Sequence, residues 1–198
     1  MGMEIDHVVS CVPDLDAAVS VFEKENDVVS VAGGRHEGHG TANRLVPLGP
    51  SYIELVAVVD APQARLSEFG LWVASRSTLS GADSIAIRTD DLDEVCGRLA
   101  LHPLAMSRKT PEGDELRWRI AGFELVSSGL PFFIEWDIDP GLHPGRAPAD
   151  HPRGAVSLGE VVISGDERRL RRWTEGVSGV AVESGAPGVR FELDGGYL

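Results

Sequence analysis

The chain of 198 residues predicts an α+β fold built from two tandem βαβββ units and a partial third βαββ unit. A strand followed by a capped helix begins at His7 (HVVSCVPDLDAAV) and again at Ser84 (SIAIRTDDLDEVC). An apolar strand with one central acid occurs around Glu54 (IELV) and again around Glu135 (IEWD). Because the same elements recur in the same order, the sequence indicates an internal duplication.

Each unit has the same predicted elements, and an acid caps each helix. Asp14 and Asp91 precede the two helices, and Glu94 completes a capping-box pattern in the second. The first unit is predicted to contain strand 5–12, helix 15–24, strand 28–31 with a Gly- and His-containing turn (GGRHEGHG) after it, and two strands that flank Gly49-Pro50, the second over 51–59. The second unit is predicted to contain strand 83–88, helix 92–101, strands 104–109 and 115–121, and a further strand (GFELV) joined by a Ser-Ser-Gly turn to strand 130–137.

The predicted organisation follows from these elements. It comprises a first unit (1–60), a linker with helical character (61–81), a second unit (82–139), a Pro-rich linker (140–156) and a partial third unit (157–198). The third unit repeats the strand and helix in SLGEVVISGDERRLRRWTEG and then has a short hairpin predicted to turn at Gly185 to Gly188. Since it is too short for a full copy, we expect it to pack on the other two units.

Glu54 lies in surroundings that demand a partner. Period-2 alternation puts Tyr52, Glu54 and Val56 on one face of their strand, and both faces are largely apolar. Burying an unpaired carboxylate in such a place is costly. A metal ion, a proton or a cationic partner would satisfy Glu54, and the residues by themselves leave these alternatives open.

Composition excludes several functions. The chain carries 18 basic and 31 acidic residues, a net charge of −13, which argues against a nucleic-acid binder and against binding to an anionic membrane surface.

No apolar run reaches the length of a membrane span and no basic region precedes an apolar stretch at the N-terminus, so we expect a cytoplasmic protein. Cys11 and Cys96 form no CxxC pattern and are expected to be reduced thiols. Nucleotide-binding and serine-hydrolase motifs are absent from the sequence.

Two tandem βαβββ units, each with an acid near its end, resemble the vicinal oxygen chelate superfamily, which includes glyoxalase I, extradiol dioxygenases and several antibiotic-resistance proteins. The patterns IDHVV…DLDAAV and GTANRLVPLG-YIELVAV are most similar to its glyoxalase-like domain group. The resemblance implies a glyoxalase/bleomycin-resistance/dioxygenase-like half-barrel from each unit, and one cup formed by the two. A small-molecule partner is expected, and a homodimer is compatible with such folds.

The resemblance also implies a metal site. By position, the ligands would be His7, Glu54 and Glu135. The fourth position is Ser84, which is a poor ligand for divalent ions, so the sequence departs from the glyoxalase I pattern there. The other three residues would hold a divalent ion (Zn, Ni, Mn or Fe) in an open site. A metal-free relative would instead pair His7 directly with Glu54.

Two functions follow from the resemblance. The first is a divalent-metal-dependent lyase or isomerase that acts on a small oxygen-chelating substrate, with Glu54 and Glu135 as catalytic proton-transfer groups. A dioxygenase matches less well, because dioxygenases of this type generally use two histidines. The second function is metal-free binding of a small aromatic or apolar compound, as in resistance or sequestration proteins.

Arg88 and Asn43 are the candidate substrate-binding residues. If His7 faces the cup, alternation from Ser84 aims Arg88 inward, where its guanidinium would bind an anionic group. Asn43 shares a strand face with Thr41 and would hydrogen-bond the substrate.

Three further histidines have weaker patterns. His36 and His39 lie in the Gly-rich turn, where they would either cover the pocket or remain in solvent. His151, in the Pro-rich linker, is the one candidate to replace the missing fourth ligand and is not counted in the predicted set.

Overall fold

The computed structural model describes residues 2–77, 81–110 and 113–194, so the Ser/Thr-rich end of the first linker at 78–80 lies outside the described residues. The architecture is α+β, as predicted. Its elements are β1 (Met3–Cys11), α1 (Leu15–Asn26), β2 (Val31–His36), β3 (Thr41–Pro47), β4 (Tyr52–Val58), α2 (Ala61–Ala64), α3 (Glu68–Arg76), β5 (Ser84–Arg88), α4 (Leu92–Leu99), β6 (Leu104–Lys109), β7 (Glu115–Ala121), β8 (Phe132–Trp136), β9 (Ser157–Gly165), α5 (Glu167–Trp173), β10 (Val177–Ser178), β11 (Val180–Ser184) and β12 (Gly188–Asp194). Three 3-10 turns cover Phe123–Ser128, Pro140–Leu142 and Pro144–Arg146.

Eight of these strands form one curved sheet in the order β2-β3-β4-β1-β5-β8-β7-β6, and β10 adds to β1. β1 pairs antiparallel with β5 at the centre, while β1 with β4 and β5 with β8 are parallel pairs. The two edges approach each other, because Arg108 on β6 donates a hydrogen bond to the carbonyl of Gly33 on β2. The sheet is therefore a nearly closed barrel, and its concave face forms a cup.

The two faces of the curved sheet bury separate apolar clusters. The outer face packs Ile53, Leu55 and Phe133 with apolar residues of α1, α4 and α5. The inner face packs Val9, Val56, Ile134 and their neighbours with Trp72 and Val73 of α3. The alternation predicted for β4 is confirmed, since Ile53 and Leu55 lie outside and Val56 lies inside.

The position of β2 differs from the prediction. We predicted a strand at 28–31 followed by a turn, whereas β2 covers Val31–His36 and includes both glycines. A Cβ on Gly33 would lie 2.0 Å from Asn43 Oδ1, and one on Gly34 would lie 2.6 Å from the carbonyl of Lys109. The glycines permit these close approaches, as glycine often does within strands. Consequently His36 ends a strand and faces the cup.

Two other local predictions are also corrected. The segment at Phe123–Ser128 is a 3-10 turn, entered from Gly122 in the left-handed region at φ 80°. The expected hairpin of the third unit does not form, because β9 lies between β11 and β12 in a separate three-stranded sheet. The segment Phe123–Ser128 and the strands β11 and β12 are all apolar enough for strands. Composition alone therefore did not reveal the 3-10 turn or the place of β9 between β11 and β12.

Among the described residues, no helix combines the length and apolar character needed to cross a bilayer.

Substituting Gly34 with Ala is expected to destabilise the protein by about 1–3 kcal/mol, because the new Cβ would meet β6 backbone. Gly34 also has φ 148°, which Ala adopts only with strain. Gly97→Ala is the matched control, since Gly97 lies in α4 with nothing within 4 Å of the added Cβ. Urea unfolding measures both variants, and equal midpoints for the two would contradict the close approach of β2 and β6.

Candidate functional site

The cup encloses a cavity of about 50 Å³. Such a volume accommodates roughly three to five water-sized groups. Most of its wall is apolar and aromatic, with Leu45, Phe69, Trp118, Ile120, Phe132 and Ile134 among the lining residues. The polar residues that line it are His7, His36, Asn43, Tyr52, Glu54 and Arg108. A polar group on one wall of a small apolar cavity is a typical arrangement for small-molecule sites.

A bulge in β1 places Asp6 beside His7. Ile5 pairs with Ile87 and His7 pairs with Ala86, which leaves Asp6 as an extra residue on β1. Asp6 is fully buried, and its Oδ1 lies 2.7 Å from His7 Nδ1. Burial opposes ionisation of Asp6, but hydrogen bonds from His143 and His7, together with their charge whenever the rings are protonated, outweigh it and lower the pKa of Asp6. Asp6 is therefore an ionised carboxylate held behind His7.

Asp6 determines which nitrogen of His7 carries hydrogen. A carboxylate only accepts, so His7 Nδ1 donates to Asp6; in the neutral ring Nε2 is then the acceptor, and it faces the cup. His7 Nε2 lies 3.7 Å from Glu54 Oε2, which is too long for a direct hydrogen bond. Stacking of the imidazole on Tyr52, with ring centroids 4.5 Å apart, fixes the plane of the ring. The gap between the two acceptors favours a proton or a donating group of a ligand.

His36 and Asn43 occupy the other side of Glu54. Asn43 Nδ2 donates to Glu54 Oε1 at 2.6 Å and lies 3.4 Å from His36 Nε2. Since Asn43 Nδ2 only donates, His36 Nε2 is the acceptor of that contact, and His36 Nδ1 then donates to Thr41 Oγ1 at 2.9 Å. Burial lowers the pKa of His36 to about 4, which keeps the ring neutral near pH 7. Glu54 thus faces two imidazole lone pairs, with Asn43 as the amide donor between them.

Comparison with known proteins identifies the fold of this cup. The glyoxalase-like domain model matches residues 5–178. The chain belongs to the glyoxalase-like domain family. A hypothetical protein from Staphylococcus aureus is similar in structure, with a TM-score of 0.70 and 16% identity over 92% of this chain and 86% of that chain. No curated protein matches this chain.

Two further solved structures share the glyoxalase-like fold over about 70% of the chain. A variant of methylmalonyl-CoA epimerase from Streptomyces coelicolor, in complex with 2-nitronate-propionyl-CoA, has a TM-score of 0.51 and 19% identity and is covered completely. A hypothetical protein from Bacillus halodurans has a TM-score of 0.50 and 12% identity and is covered to 96%. At these identities the similarity concerns the fold.

The glyoxalase-like cup does not bring Glu135 to His7 and Glu54. Glu135 Oε1 accepts from the backbone N–H of Leu92, at the start of α4, at 3.2 Å. Its Oε2 accepts from Arg119 Nε at 2.8 Å, and its side chain is 21% exposed. Glu135 therefore lies on the outer face of β8, where it forms an ion pair and caps a helix.

The strand register explains this correction. Val9 and Ala86 occupy matching positions of β1 and β5, if His7 is aligned with Ser84. Val9 pairs with Glu54 on β4, whereas Ala86 pairs with Phe132 on β8. Phe132 is thus the structural counterpart of Glu54. Glu135 follows it by an odd number of residues, so its side chain points to the opposite face.

The two candidate substrate-binding residues have different outcomes. Asn43 lines the cup beside Glu54. The Arg88 guanidinium does not line it; Arg88 forms an ion pair with Glu4, lies 3.3 Å from Asp6 Oδ2 and donates to the carbonyl of Pro50 at 3.2 Å. Alternation correctly placed Arg88 on the same face of β5 as Ala86. However, β5 ends at Arg88, and the carboxylates of Glu4 and Asp6 attract its guanidinium away from the cup.

The predicted metal ligands do not fit a three-ligand centre. Only His7 and Glu54 of the set share the cup, and Ser84 is buried outside its lining. Within the described ranges, no three His, Cys, Asp or Glu side chains are grouped closely enough to hold an ion. His151 does not supply the missing ligand, because its Nε2 lies 2.7 Å from the carbonyl of Pro47 and its Nδ1 accepts from Val29 N–H.

Sequence reasoning missed Asp6 and underestimated His36. Strict alternation placed Asp6 opposite to His7, and no sequence signal marks the bulge. His36 had a signal, since a Gly-Gly pair that follows apolar residues can lie within a strand where another residue approaches closely.

Stability is expected to fall as the pH is lowered from about 6.5 to about 4, because His36 binds a proton in the unfolded chain throughout this range while the folded protein keeps it neutral. The loss attributable to His36 is roughly 3 kcal/mol. The lowered pKa of Asp6 acts below this range. Urea unfolding at several pH values should show a shallower decline for His36→Gln than for wild type. An exposed control, His102→Gln, should behave as wild type; identical slopes in all three proteins would contradict the buried neutral His36.

Proposed function

We propose that this glyoxalase-like protein is an isomerase- or lyase-type enzyme that moves a proton on a small substrate, with His7 and Glu54 as the acid–base pair. The observation that supports this most is the orientation of His7. Its Nε2 faces the carboxylate of Glu54, 3.7 Å from Oε2, inside a mostly apolar cavity. A donor group of a substrate that lies in the cavity beside this pair would reach both atoms within hydrogen-bonding distance.

The cavity limits what reacts. A volume of about 50 Å³ admits a head group of roughly three to five non-hydrogen atoms. Aromatic walls favour a substrate with an apolar part, while Asn43 orients Glu54 for the reacting end. The fold is compatible with this chemistry, since an epimerase has a similar fold and epimerisation removes and returns a proton at carbon.

Of the two functions implied by the family, proton transfer is favoured over simple binding for a specific reason. A binding cavity needs no base, whereas Asp6 orients His7 as a proton acceptor toward Glu54. Because Glu135 lies outside the cup, His7 replaces it as the proposed proton-transfer partner of Glu54. The transfer is proposed between side chains without a metal ion, because Glu135 of the predicted ligand set lies outside the cup.

Glu54→Gln is expected to slow proton transfer by about 100-fold or more, because the amide cannot accept a proton. Small carbonyl compounds, such as hydroxyacetone and glycolaldehyde, would first be screened by their effect on the indole NMR signals. Those that bind would then be followed in D₂O for deuterium incorporation at carbon.

Glu135→Gln is the matched control and should keep the wild-type exchange rate. If every compound that binds fails to exchange with wild type, binding is the function and the proposed reaction is contradicted. Equal losses in Glu54→Gln and Glu135→Gln would contradict the assignment of the acid–base pair.

Metal removal is expected to leave the exchange rate within about twofold, since the reacting groups are side chains of the cup. The protein would be purified without a metal-chelating column, analysed for its metal content, and treated with EDTA. Loss of exchange that Zn, Ni, Mn or Fe restores would instead support the metal-dependent lyase or isomerase implied by the family.

A further inference from the structure

Asp6 is held by donors from four parts of the chain. Its Oδ1 accepts from His7 Nδ1 at 2.7 Å. Its Oδ2 accepts from Trp136 Nε1 at 3.0 Å, from His143 Nε2 at 3.0 Å and from Arg88 at 3.3 Å. Because three donors face Oδ2, the carboxylate has one favourable orientation, and Oδ1 is left as the acceptor for His7.

His143 belongs to the Pro-rich segment that appeared in the sequence as a linker. Its Nδ1 accepts from the N–H of Gly145 at 3.2 Å, so its Nε2 carries hydrogen and donates to Asp6. Arg88 Nη1 lies 3.1 Å from the same Nε2, and its hydrogens are donated to Asp6 and to the Pro50 carbonyl. The 3-10 turn that contains Gly145 is seated against the β3–β4 turn, where Gly49 N–H donates to the Gly145 carbonyl at 2.8 Å. A Cβ on Gly145 would lie 2.4 Å from the Ser51 carbonyl, which shows how closely the segment packs.

We propose that Asp6 is a positioning residue for His7, and that the Pro-rich segment completes the site through His143. Asp6 touches no ligand in the cup and acts through the hydrogen on His7 Nδ1. The inference rests on the proposed function, in that the atom it positions is the Nε2 proton acceptor. It adds two residues, Asp6 and His143, to the machinery behind that atom.

The direct test is Asp6→Asn with ¹⁵N NMR of the His7 ring in the intact chain. The Asn oxygen is expected to turn toward the three donors, because an amide N–H₂ there would face donors only. The amide then donates to His7 Nδ1, and His7 changes from the Nδ1–H to the Nε2–H form. A ring that keeps the Nδ1–H form in folded Asp6→Asn would overturn the role of Asp6.

His143 variants test the segment and do not depend on the folding of Asp6→Asn. In His143→Ala, exchange of the His7 Nδ1 hydrogen with solvent should become about tenfold faster, because Asp6 loses one of its donors. His143→Gln keeps an N–H donor and should restore the slow exchange.

His151→Ala is the control from the same segment, since His151 bonds Pro47 and Val29 and does not contact Asp6. It should exchange as wild type. Equal acceleration in His143→Ala and His151→Ala, or none in His143→Ala, would overturn the role of His143. These readouts need no turnover, so they are distinguishable from a failure of the proposed reaction, which Glu54→Gln tests.

Discussion

The antiparallel ladder between β1 and β5 is the constraint on which the rest of the structure depends. It joins the two halves of the sheet, and its pairing of His7 with Ala86 and of Val9 with Ser84 sets which face of each strand enters the cup. The bulge within this ladder inserts Asp6 beside His7. A β-bulge locally re-aims side chains, so two consecutive residues here cooperate where regular alternation would separate them. The bulge in β1 thereby lets Asp6 hold the imidazole of His7 in one orientation.

The chemistry proposed for the cup follows from the groups that surround Glu54. His7 and His36 each present a lone pair toward Glu54, and Asn43 donates to its Oε1. Burial lowers the pKa of His36, so this ring does not supply the missing proton near neutral pH. An ionised Asp6 lies behind His7 and accepts the hydrogen of its Nδ1, which leaves Nε2 directed toward Glu54. The proposed proton transfer therefore centres on His7 Nε2, inside a cavity whose walls are mostly apolar.

The sequence was sufficient for the duplication and for local alternation, because both depend on patterns of side chains along one strand. The prediction that Glu54 and Asn43 face the same space is an example. The prediction that Glu135 faces the cup was wrong for a physical reason. Glu135 and Glu54 look equivalent in sequence, because each is the central acid of an apolar strand. The strand that pairs with each one decides which face enters the cup, and β5 aligns Ala86 with Phe132, not with Glu135. The predicted position of β2 was wrong because a Gly-Gly pair is typical of a turn. Only the residues that approach these glycines in the folded chain show that they belong to a strand. His143 lay in a segment whose composition indicates a linker and whose contact with Asp6 spans 137 residues.

Double-mutant cycles on His7 measure the central claim most directly, namely that this imidazole shares a site with Glu54 and not with Glu135. Free energies of unfolding would be determined for His7→Ala with Glu54→Gln and, in parallel, for His7→Ala with Glu135→Gln. The account predicts a coupling of about 0.5–3 kcal/mol for the first pair and additivity within about 0.5 kcal/mol for the second. Strong coupling between His7 and Glu135, with none between His7 and Glu54, would contradict it.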